Sequence, residues 1–253
     1  MATSGPLSGT LFRIRVVLVE PSHPGNIGAA ARAMRTMGLS RLALVRPRLF
    51  PHPDAVALAA NAVDVLERAH VCASLDEALE GTALAVALSA RGRDLSHPMQ
   101  DARDAAAELV RVAAGADAAM VFGNETAGLS NEDVLRCGRL ATIPADPEHS
   151  SLNLAQAVQI LAYEVRRAAG AASQARERTP DYATHEGVEA FYAQLERSLV
   201  DAGFLDPANP GRLMERLRRL FGRARLEREE VNILRGMLSA WEPGSPKRKN
   251  VRK

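Results

Sequence analysis

Lysine is nearly missing from this chain. Among 253 residues there are three, Lys247, Lys249 and Lys253, all within the last seven positions. A P-loop needs a lysine on the phosphates, and pyridoxal chemistry needs one for its Schiff base. Both are excluded for everything before residue 247. Cysteine is scarce as well. Cys72 and Cys137 have no ligand-like spacing, which fits two free thiols in a reducing, cytoplasmic setting. No apolar run is long enough to span a bilayer, and Met1–Thr10 carries no basic-then-apolar leader. The patterns G-x-G-x-x-G and G-x-S-x-G are both absent, which excludes the usual dinucleotide fingerprint and the serine-hydrolase elbow. His23, His97 and His149 stand beside prolines or acids without metal-ligand spacing, so no metal is expected.

Apolar residues make up 47% of the chain and charged residues 25%, an ordinary globular balance. The length suits one large domain, or one domain with a small appendage. The formal charge of +2 is unevenly spread. Residues 1–160 hold 14 Arg against 17 acids, a net of −3, and residues 161–253 hold 18 bases against 13 acids, a net of +5. A basic C-terminal region attracts phosphates, with a pull that weakens in salt.

The first two-thirds alternates strand-like and helix-like segments. Strands are predicted at Phe12–Val19, Arg41–Val45, His70–Cys72, Thr82–Leu88, Ala118–Phe122 and Leu140–Ile143. Helices are predicted at Asn26–Met37, Asp54–Leu66, Ser74–Glu80, Met99–Ala114, Ser130–Cys137 and Leu152–Ala169. Ser74 with Glu77, and Ser130 with Asp133, have the spacing of N-terminal caps. Alternation of this kind implies an α/β fold, a mostly parallel sheet with helices on both faces. Residues 170–184 read as a linker. Three helices follow, at His185–Ala202, Gly211–Arg225 and Arg228–Trp241, and Gly244–Lys253 is a basic, disordered tail.

The middle one of these helices carries an unusual charge pattern. Arg212, Arg216, Arg219 and Arg223 recur at helical spacing, beside an apolar stripe of Leu213, Leu217, Leu220 and Ala224. Residues 212–228 hold seven Arg against two Glu. A merely soluble helix interleaves more acid with its arginines, so phosphate binding is the favoured reading.

In open α/β sheets, ligands bind outside the carboxyl ends of the strands. Four such ends are rich in Gly, Ser, Asn or charge: EPSHPGNIGAAA (20–31), SARGRDLSHP (89–98), FGNETAGL (122–129) and IPADPEHSSLN (143–153). Taken singly, each is a turn or a helix start. Together they outline one pocket of backbone N–H and C=O groups, suited to a neutral adenine and ribose, with arginines on its rim.

In this order, GNIGAAARAM, FGNETAGL and IPADPEHSSLNLAQAVQI resemble the SPOUT superfamily of trefoil-knotted methyltransferases, in its tRNA/rRNA 2′-O-ribose branch. The chain is most similar to the bacterial enzymes of that branch that act on cytidine or uridine at anticodon-loop position 32. The similarity covers roughly residues 12–241, including LALVRP, the SAR turn, GRLMERLRRLFGRAR and VNILRG. The resemblance implies a methyltransferase domain over 1–169, with a deep knot in roughly 118–169, and a helical tRNA-binding extension over 185–243. It implies S-adenosyl-L-methionine held by Leu88, Ser89 and Ala90, by Gly123 and Ile143, and by Ser150, Ser151 and Leu152. It further implies a homodimer with active sites at the subunit interface, no membrane partner, and an anticodon stem-loop as substrate.

The same resemblance places Arg32, Asn26, Glu125, Ser151 and Asn153 at the active site. A guanidinium is a poor base, with a pKa of about 12.5–13.8. Arg32 is therefore expected to clamp phosphate and stabilise the developing oxyanion rather than take the proton. Asn153 and Ser151 are expected to hold ribose or cofactor, and Glu125 to order its loop. Arg91, Arg93 and the Arg212–Arg223 stripe are expected to bind RNA phosphates. The alternatives are the same chemistry on a ribosomal RNA loop, or a non-catalytic RNA-binding protein on the same scaffold.

Overall fold

Seven short strands form the sheet, and the five longer ones supply most of its buried apolar side chains. The seven are β1 (Ile14–Val19), β2 (Arg41–Val45), β3 (His70–Cys72), β4 (Thr82–Leu88), β5 (Met99–Asp101), β6 (Asp117–Phe122) and β7 (Arg139–Thr142). They form one sheet in the order β3-β2-β1-β6-β4-β7-β5, and every pairing is parallel. As a computed structural model, the chain is described over residues 6–90, 98–172 and 181–241. Alternation along the central strands sends side chains to two separate cores. Val16 and Leu18 enter one and Val17 and Val19 the other, as do Met120 and Val121 of β6.

The first core is closed by α1 (Pro6–Phe12), α2 (Pro24–Met37), α3 (Pro53–Ala59), α4 (Val63–Glu67), α6 (Ala102–Ala113) and α8 (Leu154–Ala172). The second is closed by α5 (Leu75–Leu79) and α7 (Asn131–Arg136). Helix α2 ends as its sequence dictates, with Gly38 at φ 84° in the left-handed conformation that closes a helix. Its Gly28 lies so close to α3 that a β-carbon there would sit 2.0 Å from the Ala55 carbonyl oxygen.

Several expectations need correction. Phe12 belongs to α1 and is exposed, so β1 begins at Ile14. The helix expected over Asp54–Leu66 is broken into α3, a 3-10 turn at Ala60–Ala62 and α4, with Ala60 at φ 49°. The helix expected over Met99–Ala114 begins only at Ala102. Residues 99–101 pair with β7 as an edge strand, and the Asp101 carboxylate caps α6 by accepting from Arg103 N at 2.8 Å. Tertiary pairing has overridden local helix propensity there. Ser130 and Asp133 form a full capping box. Ser74 accepts from Glu77 N, but Glu77 reaches back to Ala73 N rather than to Ser74.

A third core joins α9 (His185–Asp201), α10 (Leu213–Ala224) and α11 (Arg228–Trp241) around Phe191, Tyr192 and Phe221. The face of α10 turned inward carries Met214, Leu217 and Phe221, while Leu220 is half exposed. The expected stripe therefore shares only Leu217 with the packed one. Charged groups tie this extension to the sheet domain. The nearly buried Glu108 of α6 takes Arg139 Nε at 3.2 Å and Arg225 Nη1 at 2.6 Å, and Arg225 stacks 4.0 Å over the Tyr182 ring. Arg139 Nη1 donates to Gly222 O at 2.5 Å. The segment read as a linker is thus partly structured: α8 runs to Ala172, and Ala183 is buried. The tail at 244–253 lies outside the described residues. Among the described residues, no helix is long and apolar enough to cross a membrane.

Candidate functional site

The parallel sheet aims all its carboxyl ends at one edge. Three adjacent strands there, β6, β4 and β7, end in the loops that sequence patterning singles out. Between these loops lies a cavity of about 220 Å³. Leu88, Ser89 and Ala90 enter it from the end of β4, Gly123 from the end of β6 and Ile143 from the end of β7. Ser150, Ser151 and Leu152 close it just before α8. Eight positions scattered over 65 residues of sequence thus converge on one space.

The loop after β6 is shaped by its own residues. Asn124 Oδ1 accepts from Thr126 N at 3.0 Å and from Ala127 N at 2.7 Å, and Asn124 O accepts from Gly128 N at 3.0 Å. Gly128 sits at φ 70°, a conformation that favours glycine. The loop folds back so tightly that a β-carbon on Gly123 would lie 2.1 Å from Gly128 C.

Glu125 is the node of the site. Its Oε2 accepts from Ser22 N at 2.9 Å and Ser22 Oγ at 2.7 Å. Its Oε1 accepts from Asn26 Nδ2 at 2.8 Å and His23 N at 3.3 Å. Asn26 Oδ1 in turn accepts from Asn153 Nδ2 at 3.0 Å, and Asn153 Oδ1 caps α8 by accepting from Ala155 N at 2.9 Å. One chain of hydrogen bonds thereby joins the loop before α2, the loop after β6 and the start of α8. Asn26 does not itself start its helix. It lies in the first turn, behind Pro24, which frees its side chain to bridge the other two loops.

Burial works against the Glu125 charge, but donation from Asn26 and from the backbone and hydroxyl of Ser22 outweighs it and holds the carboxyl at about 2. Glu125 is therefore an anion that orders loops, and too weak a base to take a proton from a hydroxyl. Because its folded pKa is depressed from 4.5, it stabilises the fold above that value, and the contribution is lost as pH falls toward 2. The stability gap between the parent and Glu125→Gln will accordingly shrink between about pH 6 and about pH 3 in denaturant titrations. An equal gap at both values would contradict this assignment.

Arg32 is exposed on α2, two turns beyond the start of the helix, and does not line the cavity. Ser151 is exposed at the cavity mouth. Arg212, which precedes α10, and Arg216 and Arg223 on it are exposed, and Arg212 pairs with Glu215 at 3.1 Å. Arg219 is only partly exposed, with its Nε buried, so it does not share their free face. Arg91, Arg93 and His97 lie outside the described residues. Ser22 was not singled out by sequence. A hydroxyl in a proline-rich loop gives no local sign that its partner stands 103 residues away.

Cys72 and Cys137 are buried and free, and burial pushes both thiols up. His70, Cys72 and Glu77 each bring a potential ligand atom within 4.8 Å of the others. Cys72 is held in its thiol form and Glu77 is engaged with Ala73 N, so the trio is hydrogen-bonded as it stands.

Known proteins share both halves of this architecture. The SpoU rRNA Methylase family model matches residues 13–163, and that of the tRNA methyltransferase TrmJ C-terminal domain matches residues 186–252. The chain is 50% identical over 240 residues to tRNA (cytidine/uridine/adenosine-2'-O-)-methyltransferase TrmJ of Pseudomonas aeruginosa, covering 90% of this chain and 93% of that protein. It is 50% identical over 238 residues to tRNA (cytidine/uridine-2'-O-)-methyltransferase TrmJ of Cronobacter sakazakii, covering 92% and 97%. The crystal structure of TrmJ from Z. mobilis ZM4 aligns with a TM-score of 0.79 at 34% identity, over 89% of this chain and 97% of that one.

Proposed function

The chain belongs to the SpoU rRNA methylase family, in its TrmJ branch, and on that premise we propose that it methylates a ribose 2′-hydroxyl in tRNA. The methyl donor is S-adenosyl-L-methionine and the target is the pyrimidine at anticodon-loop position 32. The observation that carries this reading is the convergence of the strand-end loops on one cavity, with Glu125 in its wall held by the Ser22–Glu125–Asn26–Asn153 chain of hydrogen bonds.

The cavity fits the donor chemically. Among the described residues, Glu125 is its one ionisable lining group, and that carboxylate already accepts from Ser22, His23 and Asn26. The other described lining residues are uncharged, with Asn124, Thr126, Ser150 and Ser151 among apolar neighbours, as an adenosine moiety requires. Leu88, Ser89 and Ala90 with Ile143 would hold the base, and Gly123 with Ser150, Ser151 and Leu152 the remainder. When bound, the cofactor supplies a methyl group already activated by its sulfonium.

The protein must then align the ribose and steady the charge that grows on its oxygen. Asn153 and Asn26 are fixed by each other and by Glu125, which lines the cavity. Arg32 supplies the positive charge, and in a homodimer its exposed position allows it to serve a site at the subunit interface. A trefoil knot through 118–169 belongs to the same reading.

Exposed arginines on α10 would grip the RNA backbone. Replacing Arg216 and Arg223 together by Glu will weaken tRNA binding and flatten its dependence on salt, each lost phosphate contact removing about one unit of slope. An unchanged affinity and slope would remove α10 from the RNA interface. A panel of unmodified tRNA and ribosomal RNA fragments, with methyl-labelled donor, tests the substrate class. Labelling of tRNA supports the reading, and labelling confined to ribosomal fragments overturns it.

A further inference from the structure

A second concave surface lies on the other side of the loop after β6. It is a groove of about 700 Å³ at the carboxyl ends of β2, β1 and β6. Asn124, Ala127, Gly128 and Leu129 line both this groove and the cofactor cavity, so one curl of backbone separates the two. At the end of β1 stands Glu20 with φ 50°, and at the end of β2 stands Arg46 with φ 45°. Neither is glycine, and a left-handed backbone costs such residues free energy. Strained residues of this kind persist where the surrounding structure enforces them, often at ligand clamps.

Their side chains meet. Glu20 Oε1 accepts from Arg46 Nε at 3.0 Å and from Nη2 at 2.7 Å, and Arg46 Nη1 donates to Ala73 O at 3.1 Å. Both are about half exposed. Both of these bonds to Glu20 fall on one carboxylate oxygen, Oε1. The other ionised groups of the groove are committed to the protein: Arg136 bonds Asp76 and Glu132, and Asp133 serves the Ser130 cap. Four carboxylates to two guanidiniums make the groove net negative, which repels phosphate. A neutral ring with an amino group and a carbonyl matches it better.

We propose that this groove takes the base of the nucleotide being methylated, and that the Glu20–Arg46 pair reads its edge. Glu20 accepts from the exocyclic amino group of cytosine, and Arg46 donates to a ring carbonyl, which uracil also offers. Unpaired loop bases are free to be read in this way. The inference rests on the RNA methyltransferase reading above and adds the determinant of base choice to it. Glu20 also connects directly to the catalytic loops, since Ser22, two residues on, anchors Glu125.

The test uses two anticodon stem-loop RNAs that differ only in carrying cytidine or uridine at the target position. Glu20→Ala will shift the ratio of kcat/KM values toward uridine by about tenfold. Glu20→Gln, whose amide oxygen still accepts, will largely restore the parent ratio, and cofactor affinity will be unchanged in both. The affinities of the same RNAs, measured with S-adenosylhomocysteine present, will shift in parallel. Equal losses on both RNAs, or no change on either, would overturn the proposal. Should the parent protein bind both RNAs yet methylate neither, the functional reading fails, and the affinity ratio still decides the groove.

Discussion

Arg32→Ala will bind S-adenosylmethionine as the parent does and transfer methyl groups at least about a hundredfold more slowly. The binding half follows from position, because Arg32 is exposed on α2 and lines no part of the cavity. The rate half follows from chemistry. A ribose hydroxyl becomes a better nucleophile as its oxygen gains negative charge. A guanidinium held beside that oxygen stabilises the charge without giving up a proton. Removing one such preorganised donor typically costs about 10²–10³ in rate. Glu125 cannot compensate as a base, since its carboxyl is held at about 2 by Asn26 and Ser22 against the effect of burial. Isothermal titration with the cofactor and single-turnover methyl transfer measure the two halves separately. Transfer at the parent rate would remove Arg32 from the site.

Gly123→Ala will abolish cofactor binding. The added methyl would lie 2.1 Å from Gly128 C and 2.2 Å from Leu129 N, both backbone atoms that no rotamer change can move aside. The loop after β6 would have to uncurl. Its Asn124 turn and the anchorage of Glu125 would be disturbed together. Gly138→Ala is the matched control. A β-carbon there meets nothing closer than 3.9 Å, so that variant should fold and bind the cofactor normally. Retained cofactor affinity in Gly123→Ala would mean that the tight curl is not needed to shape the cavity.

Which parts of this were legible in the sequence follows from the range of the interactions involved. The central strands announced themselves because each is a short apolar run buried on both faces, and β1 and β6 supply both cores. The positions of the turns were legible for the same reason, since Gly, Ser and Asn interrupt those runs. Residues 99–101 have a helical pattern in sequence, because an edge strand of three residues is defined by its partner β7 and not by its own pattern. The inner face of α10 was misjudged by one residue. Two neighbouring helical stripes were both apolar, and only packing against Phe191 and Tyr192 selects Met214, Leu217 and Phe221.

At the site, sequence named Asn26, Glu125 and Asn153, yet it could not show that they are bonded to one another. The links span 99 and 127 residues. Ser22 carries no local sign of its role, although its hydroxyl makes the shortest of the bonds to Glu125. The Glu20–Arg46 pair escaped for a related reason. A left-handed backbone at a non-glycine residue has no signature in composition, and the two residues follow different strands.

The most direct test of the account is to incubate the protein with methyl-labelled S-adenosylmethionine and unmodified tRNA, then map the labelled nucleosides by digestion and mass spectrometry. The account predicts a single 2′-O-methylated pyrimidine in the anticodon loop, at position 32. Label on a base rather than a ribose, or on a ribose outside that loop, would contradict it.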